Sequence, residues 1–283
     1  MTLEIAHNIG EVRTFLTPRR REGKSIGLVP TMGALHEGHL TLMRRARADC
    51  DIVVVSIYVN PTQFGPGEDF NRYPRTFERD RELCESVGVD LIFCPTNEIM
   101  YSRRYATYVT VEGLGESLCG RSRPTHFRGV ATVVLKLFNI VSPDVAYFGW
   151  KDAQQAILLQ RMVEDLNLPI RIVALPTVRE PDGLAMSSRN QYLDPESRRQ
   201  AGAIYTALEK TRAAFEQEGV NDCNTLKRII REHIESQTGG RIDYVEIVSL
   251  DQLESLDRVE AGNTLIAVAV HLGDARLIDN IRL

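Results

Sequence analysis

Between residues 25 and 178, short β-branched runs alternate with amphipathic stretches, and this alternation restricts the fold more than any other feature. "SIGLVPT" (25–31) reads as a buried strand, and "HLTLMRRARADC" (39–50) as a helix with Leu40, Met43 and Ala46 on one face. The pattern continues through strand 51–60, helix 76–88, strand 89–95, helix 129–141, strand 144–149, helix 152–166 and strand 170–178. Strand–helix–strand repetition implies a parallel sheet with right-handed crossovers and helices on both faces. The expected fold class is therefore α/β, a Rossmann-like doubly wound parallel sheet, followed by a smaller C-terminal α+β domain.

The sheet pattern stops near Val178. After the turn-rich "REPDGLAMSSRN" (179–190), two long helices are expected over 194–219 and 222–237, then strands at 243–250 and 264–272 in a small antiparallel or mixed sheet. A composition shift at about residue 179 sets the expected domains at 1–178 and 179–283. A chain of 283 residues sits near the length at which one core tends to split in two. The net charge of -4 argues against a broad nucleic-acid surface, though it leaves room for a local basic pocket. Apolar runs such as "IVVVSIYV" (52–59) are strand-length and too short to span a bilayer, and no secretory signal opens the chain. Five cysteines with no C-x-x-C pair read as reduced thiols of a cytoplasmic protein.

In an open parallel sheet, ligands bind beyond the carboxyl ends of the strands. "PTMGALHEGHL" (30–40) lies there, between a strand and a helix start, where free N–H groups favour an anion. His36 and His39, three apart, can share one edge of the first turn and donate to phosphate, while Gly33 and Gly38 permit close approach. The stretch is neither a Walker loop nor G-x-G-x-x-G, and "HEGH" lacks the spacing of H-E-x-x-H. A plain helix cap remains the simplest reading of either histidine alone. "YFGWKDAQQ" (147–155) repeats the strand-to-helix arrangement with Lys151, Asp152, Gln154 and Gln155. There too, a capped helix with surface amides is the plain alternative. "LAMSSRN" (184–190) suits a lid over polyphosphate or an ordinary linker, and the long polar loop 58–76 carries Gln63 and Tyr73.

Taken in order, "PTMGALHEGHL", "NPTQFG", "YPRT", "HFRGV", "FGWKDAQQ", "MSSRN" and "LGDARLIDN" resemble the pantoate–β-alanine ligase family over nearly the full chain. The resemblance implies an ATP-dependent ligase that joins pantoate and β-alanine through a pantoyl adenylate, with Mg2+, as a cytoplasmic homodimer that engages neither nucleic acid nor membrane. It puts Met32, Gly33, Ala34, Leu35, His36, Glu37, Gly38 and His39 along the ATP site, with His39 rather than His36 as the proton donor. Gly149, Trp150, Lys151, Asp152, Val178, Met186, Ser187, Ser188 and Arg189 would complete it, with Lys151 and Arg189 sharing the catalytic work. Gln63 and Gln155 would bind pantoate, supported by Asn60, Tyr73 and Arg123, and Asp80 matches an acidic position near the magnesium ion. Thr125 and Cys119 depart from the family, where glycine and, in some members, glutamate are expected. Two other readings remain: a nucleotidylyltransferase acting on another small substrate, and a non-catalytic nucleotide-binding module.

Overall fold

The computed structural model describes residues 2–283, which divide into two compact units. The first comprises the chain up to Gly115 together with Arg123–Trp150 and Leu158–Pro176; the second comprises Glu116–Ser122, Lys151–Ile157 and Thr177–Leu283.

In the first unit, chain order runs β1 (Glu4–Ala6), α1 (Ile9–Arg21), β2 (Ile26–Thr31), α2 (Glu37–Asp49), β3 (Ile52–Ile57), α3 (Phe77–Ser86), β4 (Leu91–Phe93) and α4 (Asn97–Met100). The short helix α5 (Cys119–Ser122) falls in the second unit, and the first resumes with α6 (His126–Val141) and β5 (Val145–Gly149). Helix α7 (Ala153–Asp165), whose residues up to Ile157 fall in the second unit, and strand β6 (Arg171–Leu175) follow. The strands pair in the order β1-β4-β3-β2-β5-β6, every pair parallel. From β2 the order runs outward to β3 on one side and β5 on the other, so the switch point lies at the carboxyl ends of β2 and β5. All six residues of β3 are buried, which is why it reads as an unbroken apolar run. The underlying core gathers Val29, Met43, Ala46, Val53, Val55, Ile92 and Tyr147.

The sequence reading did not include β1 or α1. The strand has three residues, too few for an alternation to register. Helix α1 buries only Val12 and Leu16, carries Pro18 internally, and is identifiable chiefly by its Asn8 cap, whose side chain accepts from Glu11 N at 3.0 Å.

In the second unit the long helix expected over 194–219 is two helices, α8 (Pro195–Gln200) and α9 (Ala203–Glu218). The break lies at Gly202, where a Cβ would stand 2.7 Å from the Asp182 carbonyl, so the backbone of another segment occupies the side-chain space. Helix α10 (Cys223–Gln237) precedes an antiparallel sheet of β7 (Arg241–Ser249), β8 (Thr264–Leu272) and β9 (Ala275–Arg282). Strand β9 was not expected, although Gly273–Asp274 forms the two-residue turn that a Gly-Asp pair signals. Leu208, Leu226, Ile230, Ile247, Val268 and Ile281 belong to this unit's own core.

All five cysteines are free. No helix among the described residues is long and apolar enough to cross a membrane.

Candidate active site

At the end of β2 the chain turns sharply to enter α2. The Thr31 hydroxyl accepts from Gly33 N at 3.2 Å and donates to the Ser56 carbonyl at 2.7 Å, fixing the start of the turn. Gly33 (φ 81) and Ala34 (φ 49) are both left-handed. A Cβ on Gly33 would stand 2.9 Å from Asp80 Oδ2, so glycine is required there on two counts. Leu35 is buried, Met32 half-buried, and Glu37 pairs with Arg44.

His36 is the N-cap of α2: its Nδ1 accepts from Gly38 N at 3.2 Å, and His39 Nδ1 accepts from His36 N at 3.3 Å. This is a capping box made by imidazoles, with the two rings 4.1 Å apart. A nitrogen that accepts carries no proton, so in each neutral ring the proton resides on Nε2. The turn therefore fixes the tautomer of both histidines, with the proton of each neutral ring on Nε2 at a helix N-terminus. Gly38 makes room for this, since a Cβ there would press within 2.9 Å of the His36 ring.

Beyond β3 the amide of Asn60, 1% exposed, organises the next loop. Its Oδ1 accepts from Tyr101 OH (2.8 Å) and from the Thr62 hydroxyl (2.9 Å) and amide (3.3 Å). Its Nδ2 donates to Gln63 Oε1 (3.0 Å) and to the Gly129 carbonyl (3.2 Å). Burial raises Tyr101 to about 12, so its hydroxyl stays a donor. With Oε1 committed, Gln63 has only its Nε2 hydrogens to offer, and these meet the Met32 sulfur at 3.2 Å, a weak acceptor that a ligand oxygen would outbid. The Gln63 carbonyl is itself gripped by His126 Nδ1 (2.8 Å) and Arg123 (3.2 Å). Arg123 also forks onto Glu68 at 2.8 and 2.6 Å. Burial would raise the Glu68 carboxyl, but hydrogen bonds and charge from Arg123 win and hold it below its ordinary value. Arg123 thus braces Gln63, and Tyr73 is buried edge-on to Phe64.

Close packing of α6 on this loop depends on Gly129, where a Cβ would fall 2.3 Å from the Thr62 carbonyl oxygen. Thr125 precedes α6 at φ -98, ordinary backbone that makes no demand for glycine, so that departure from the family is accommodated locally.

In the second unit, Lys151 lies 3.7 Å from Asp152, and its carbonyl accepts from Asn280 Nδ2 at 3.0 Å. Gln154 is turned inward, accepting from Cys119 N (3.1 Å) and donating to the Ser117 carbonyl (2.8 Å). Gln155 is partly buried, in the first turn of α7. The Cys119 thiol fits between Tyr244 OH (3.2 Å) and the Arg276 guanidinium (3.5 Å), which also pairs with Asp243 at 2.7 Å.

Met186 N bonds the Val178 carbonyl at 2.9 Å, and Ser187 caps the turn carrying Ser188 and Arg189 by accepting from Arg189 N at 3.3 Å. Behind this loop is a pair absent from the sequence reading. Arg179 forks onto Asp279 at 2.6 and 2.9 Å, lies 3.6 Å over the Tyr205 ring, and donates to the Gly183 carbonyl at 3.0 Å. Asp279 and Asn280 are adjacent on β9, so their side chains leave opposite faces, one toward Arg179 and the other toward Lys151. Both are nearly fully buried, and an adjacent polar pair set between the apolar residues Leu277, Ile278 and Ile281 was the available signal.

The pantoate-beta-alanine ligase family profile matches residues 4–282. The chain belongs to the pantoate–β-alanine ligase family. It is 56% identical over 276 residues to the pantothenate synthetase of Pelotomaculum thermopropionicum, covering 98% of this chain and 97% of that relative. The crystal structure of pantothenate synthetase from Thermus thermophilus superposes with a TM-score of 0.93 at 47% identity, covering 99% of both chains. The pantoate-beta-alanine ligase of Francisella tularensis, solved in complex with beta-gamma ATP and beta-alanine, superposes at 0.82 with 33% identity over 99% of this chain and 98% of that one.

Proposed function

We propose that the chain condenses pantoate with β-alanine at the expense of ATP, through a pantoyl adenylate. The observation that carries this reading is the imidazole capping box, which presents two Nε2–H donors at a helix N-terminus without any proton rearrangement. Family membership supplies the substrates. A carboxylate is a poor acyl donor and must first be activated. The pantoate carboxylate attacks the α-phosphorus of ATP in line and expels pyrophosphate. The β-alanine amine then attacks the acyl carbon, AMP departs, and the amine loses a proton as the amide forms. In such chemistry the protein chiefly positions groups and meets developing charge.

In this reading His36 and His39 donate to the phosphates, with His39 the proton donor, and Lys151 and Arg189 meet the charge of the leaving pyrophosphate. Gln63 reads a substrate oxygen with its Nε2 hydrogens, and Gln155 supplies the second amide for pantoate. Met32 to His39, Gly149 to Asp152, Val178 and Met186 to Arg189 line the nucleotide. Magnesium enters as the ion carried by the triphosphate. Among the described residues no three His, Cys, Asp or Glu side chains gather as a metal site, and both Asp80 oxygens already accept protein donors. No step is therefore routed through a protein-held ion. Homodimerisation and a cytoplasmic location follow the family expectation, and sedimentation of the purified chain tests the former.

Product analysis tests the reading. ATP, pantoate and β-alanine should give AMP and pantothenate in equal amounts, whereas ADP, or an adenylylated product with β-alanine unused, would contradict it.

A further inference from the structure

We infer that Asp80 is the positioning residue of the histidine turn, a clamp on the backbone at Ala34 and Leu35 rather than a magnesium ligand; the inference rests on the proposed use of His36 and His39. Asp80 lies on α3 and is 1% exposed. Its Oδ2 accepts from Ala34 N at 2.9 Å, and its Oδ1 accepts from Leu35 N at 2.8 Å and from the Thr76 hydroxyl at 3.2 Å. Two consecutive amides on one carboxylate fix the direction of the peptide between them. That peptide follows Ala34 at φ 49, a conformation a side chain disfavours and glycine does not. Without the clamp, Ala34 gains by relaxing to the right-handed region.

The next residue after Leu35 is the cap itself. His36 and His39 hold each other through Nδ1 bonds to the first turn of α2, so any swing of the chain at Ala34 carries both Nε2–H donors with it. Asp80 thus aims the two imidazoles without touching either ring. The same contacts argue against coordination. Magnesium takes near-octahedral oxygen ligands at about 2.0–2.1 Å. Here three protein donors occupy most of the carboxylate's roughly four acceptor sites, a Cβ built on Gly33 would stand only 2.9 Å from Oδ2, and no group of three His, Cys, Asp or Glu side chains that could hold a metal forms among the described residues.

Asp80→Asn tests the two roles against each other. An asparagine keeps the shape but turns an N–H donor toward one of the two backbone amides, so one of those bonds is lost. The expected result is pyrophosphate release slowed on the order of 10–100-fold at saturating substrates, the scale of misplacing a preorganised donor. The magnesium concentration for half-maximal rate should stay within about twofold. Hydrogen exchange at the Ala34 and Leu35 amides, measured without nucleotide, should accelerate. Adding Ala34→Gly should recover part of the lost rate, because glycine holds the left-handed turn unaided.

A magnesium midpoint raised by about tenfold with amide protection unchanged would overturn the inference and make Asp80 a metal-site residue. Failure of Ala34→Gly to recover any rate would also count against it. If Asp80→Asn does not fold, Thr76→Val removes only the third bond. It should quicken exchange at Leu35 and leave the magnesium midpoint alone, and the opposite pattern overturns the clamp. The wild-type enzyme run alongside separates the two readings. If it fails to turn over ATP with pantoate, the proposed function falls, while the exchange measurement still decides the clamp.

Discussion

The turn at 31–39 and the loop at 186–189 are both proposed to meet phosphate, yet they are held by opposite means. The first is built largely from its own neighbours, Thr31 on Gly33, His36 on Gly38 and His39 on His36, with Ser56 and Asp80 as more distant braces. The second depends on Arg179 reaching a carboxylate 100 residues further along the chain, on Tyr205 beneath the guanidinium, and on β9 being in register. A locally capped turn can keep its shape when other parts of the unit change. A loop hung on a buried ion pair shares the fate of the core around it. Substitutions in the first region should therefore alter chemistry with little effect on stability, and those behind the second should do the reverse.

Arg179→Ala should have the largest effect and is the most direct way to break the comparison. Removing one partner of a buried pair leaves an uncompensated charge, at a cost of about 3–5 kcal/mol, read by chemical denaturation. Burial pushes the Asp279 carboxyl up, against Arg179. Without the guanidinium the folded-state pKa rises further above its unfolded value. That contribution to stability is present below the unfolded pKa and lost as pH rises, so the defect should be smaller near about pH 4 than at neutrality. A loss under about 1 kcal/mol would show that the loop does not depend on the pair.

His39→Ala and Lys151→Ala come next. Each should slow adenylation by at least about 10²-fold, the scale of one lost charge-stabilising donor. Rapid quenching of ATP with pantoate measures the rate. For His39→Ala the unfolding midpoint should remain near that of the parent. Near-normal rates in a folded variant would reduce that residue to a structural part, and a large loss of stability in His39→Ala would erase the contrast with Arg179.

The smallest effects sharpen the comparison within substrate binding. Gln63→Ala and Gln155→Ala should each weaken pantoate more than ATP, by roughly 1–3 kcal/mol for a lost buried partner, as titration calorimetry with each ligand would show. Gln155 is only partly buried, so its removal should leave thermal stability nearly unchanged. Gln63→Ala strands an Asn60 hydrogen and should lower stability slightly. Equal loss of both ligands would point instead to a general disturbance of the pocket.

What could be read from the chain follows the same division. The parallel sheet, the strand-to-helix position of His36 and His39, and the smaller C-terminal sheet all rest on patterns a few residues long, so the sequence carries them openly. Strand β1 and helix α1 were too short or too polar to register, and the glycine at 202 answers to the Asp182 carbonyl of another segment. The inward turn of Gln154, the bracing of Gln63 by Arg123 and His126, and the Arg179–Asp279 pair are contacts between residues 35 to 100 positions apart, which no local period encodes. Resemblance to the family named the residues around the site, and the fold adds which of them hold one another in place, as Arg123 and His126 hold Gln63.

Isotope exchange tests the pantoyl adenylate most directly. With pantoate present and β-alanine absent, the enzyme should move labelled pyrophosphate into ATP, because that exchange requires only the first, reversible half-reaction. Adding β-alanine should then yield AMP and pantothenate together. Exchange that strictly required β-alanine would mean a concerted route, and release of ADP in place of AMP would contradict the adenylate mechanism altogether.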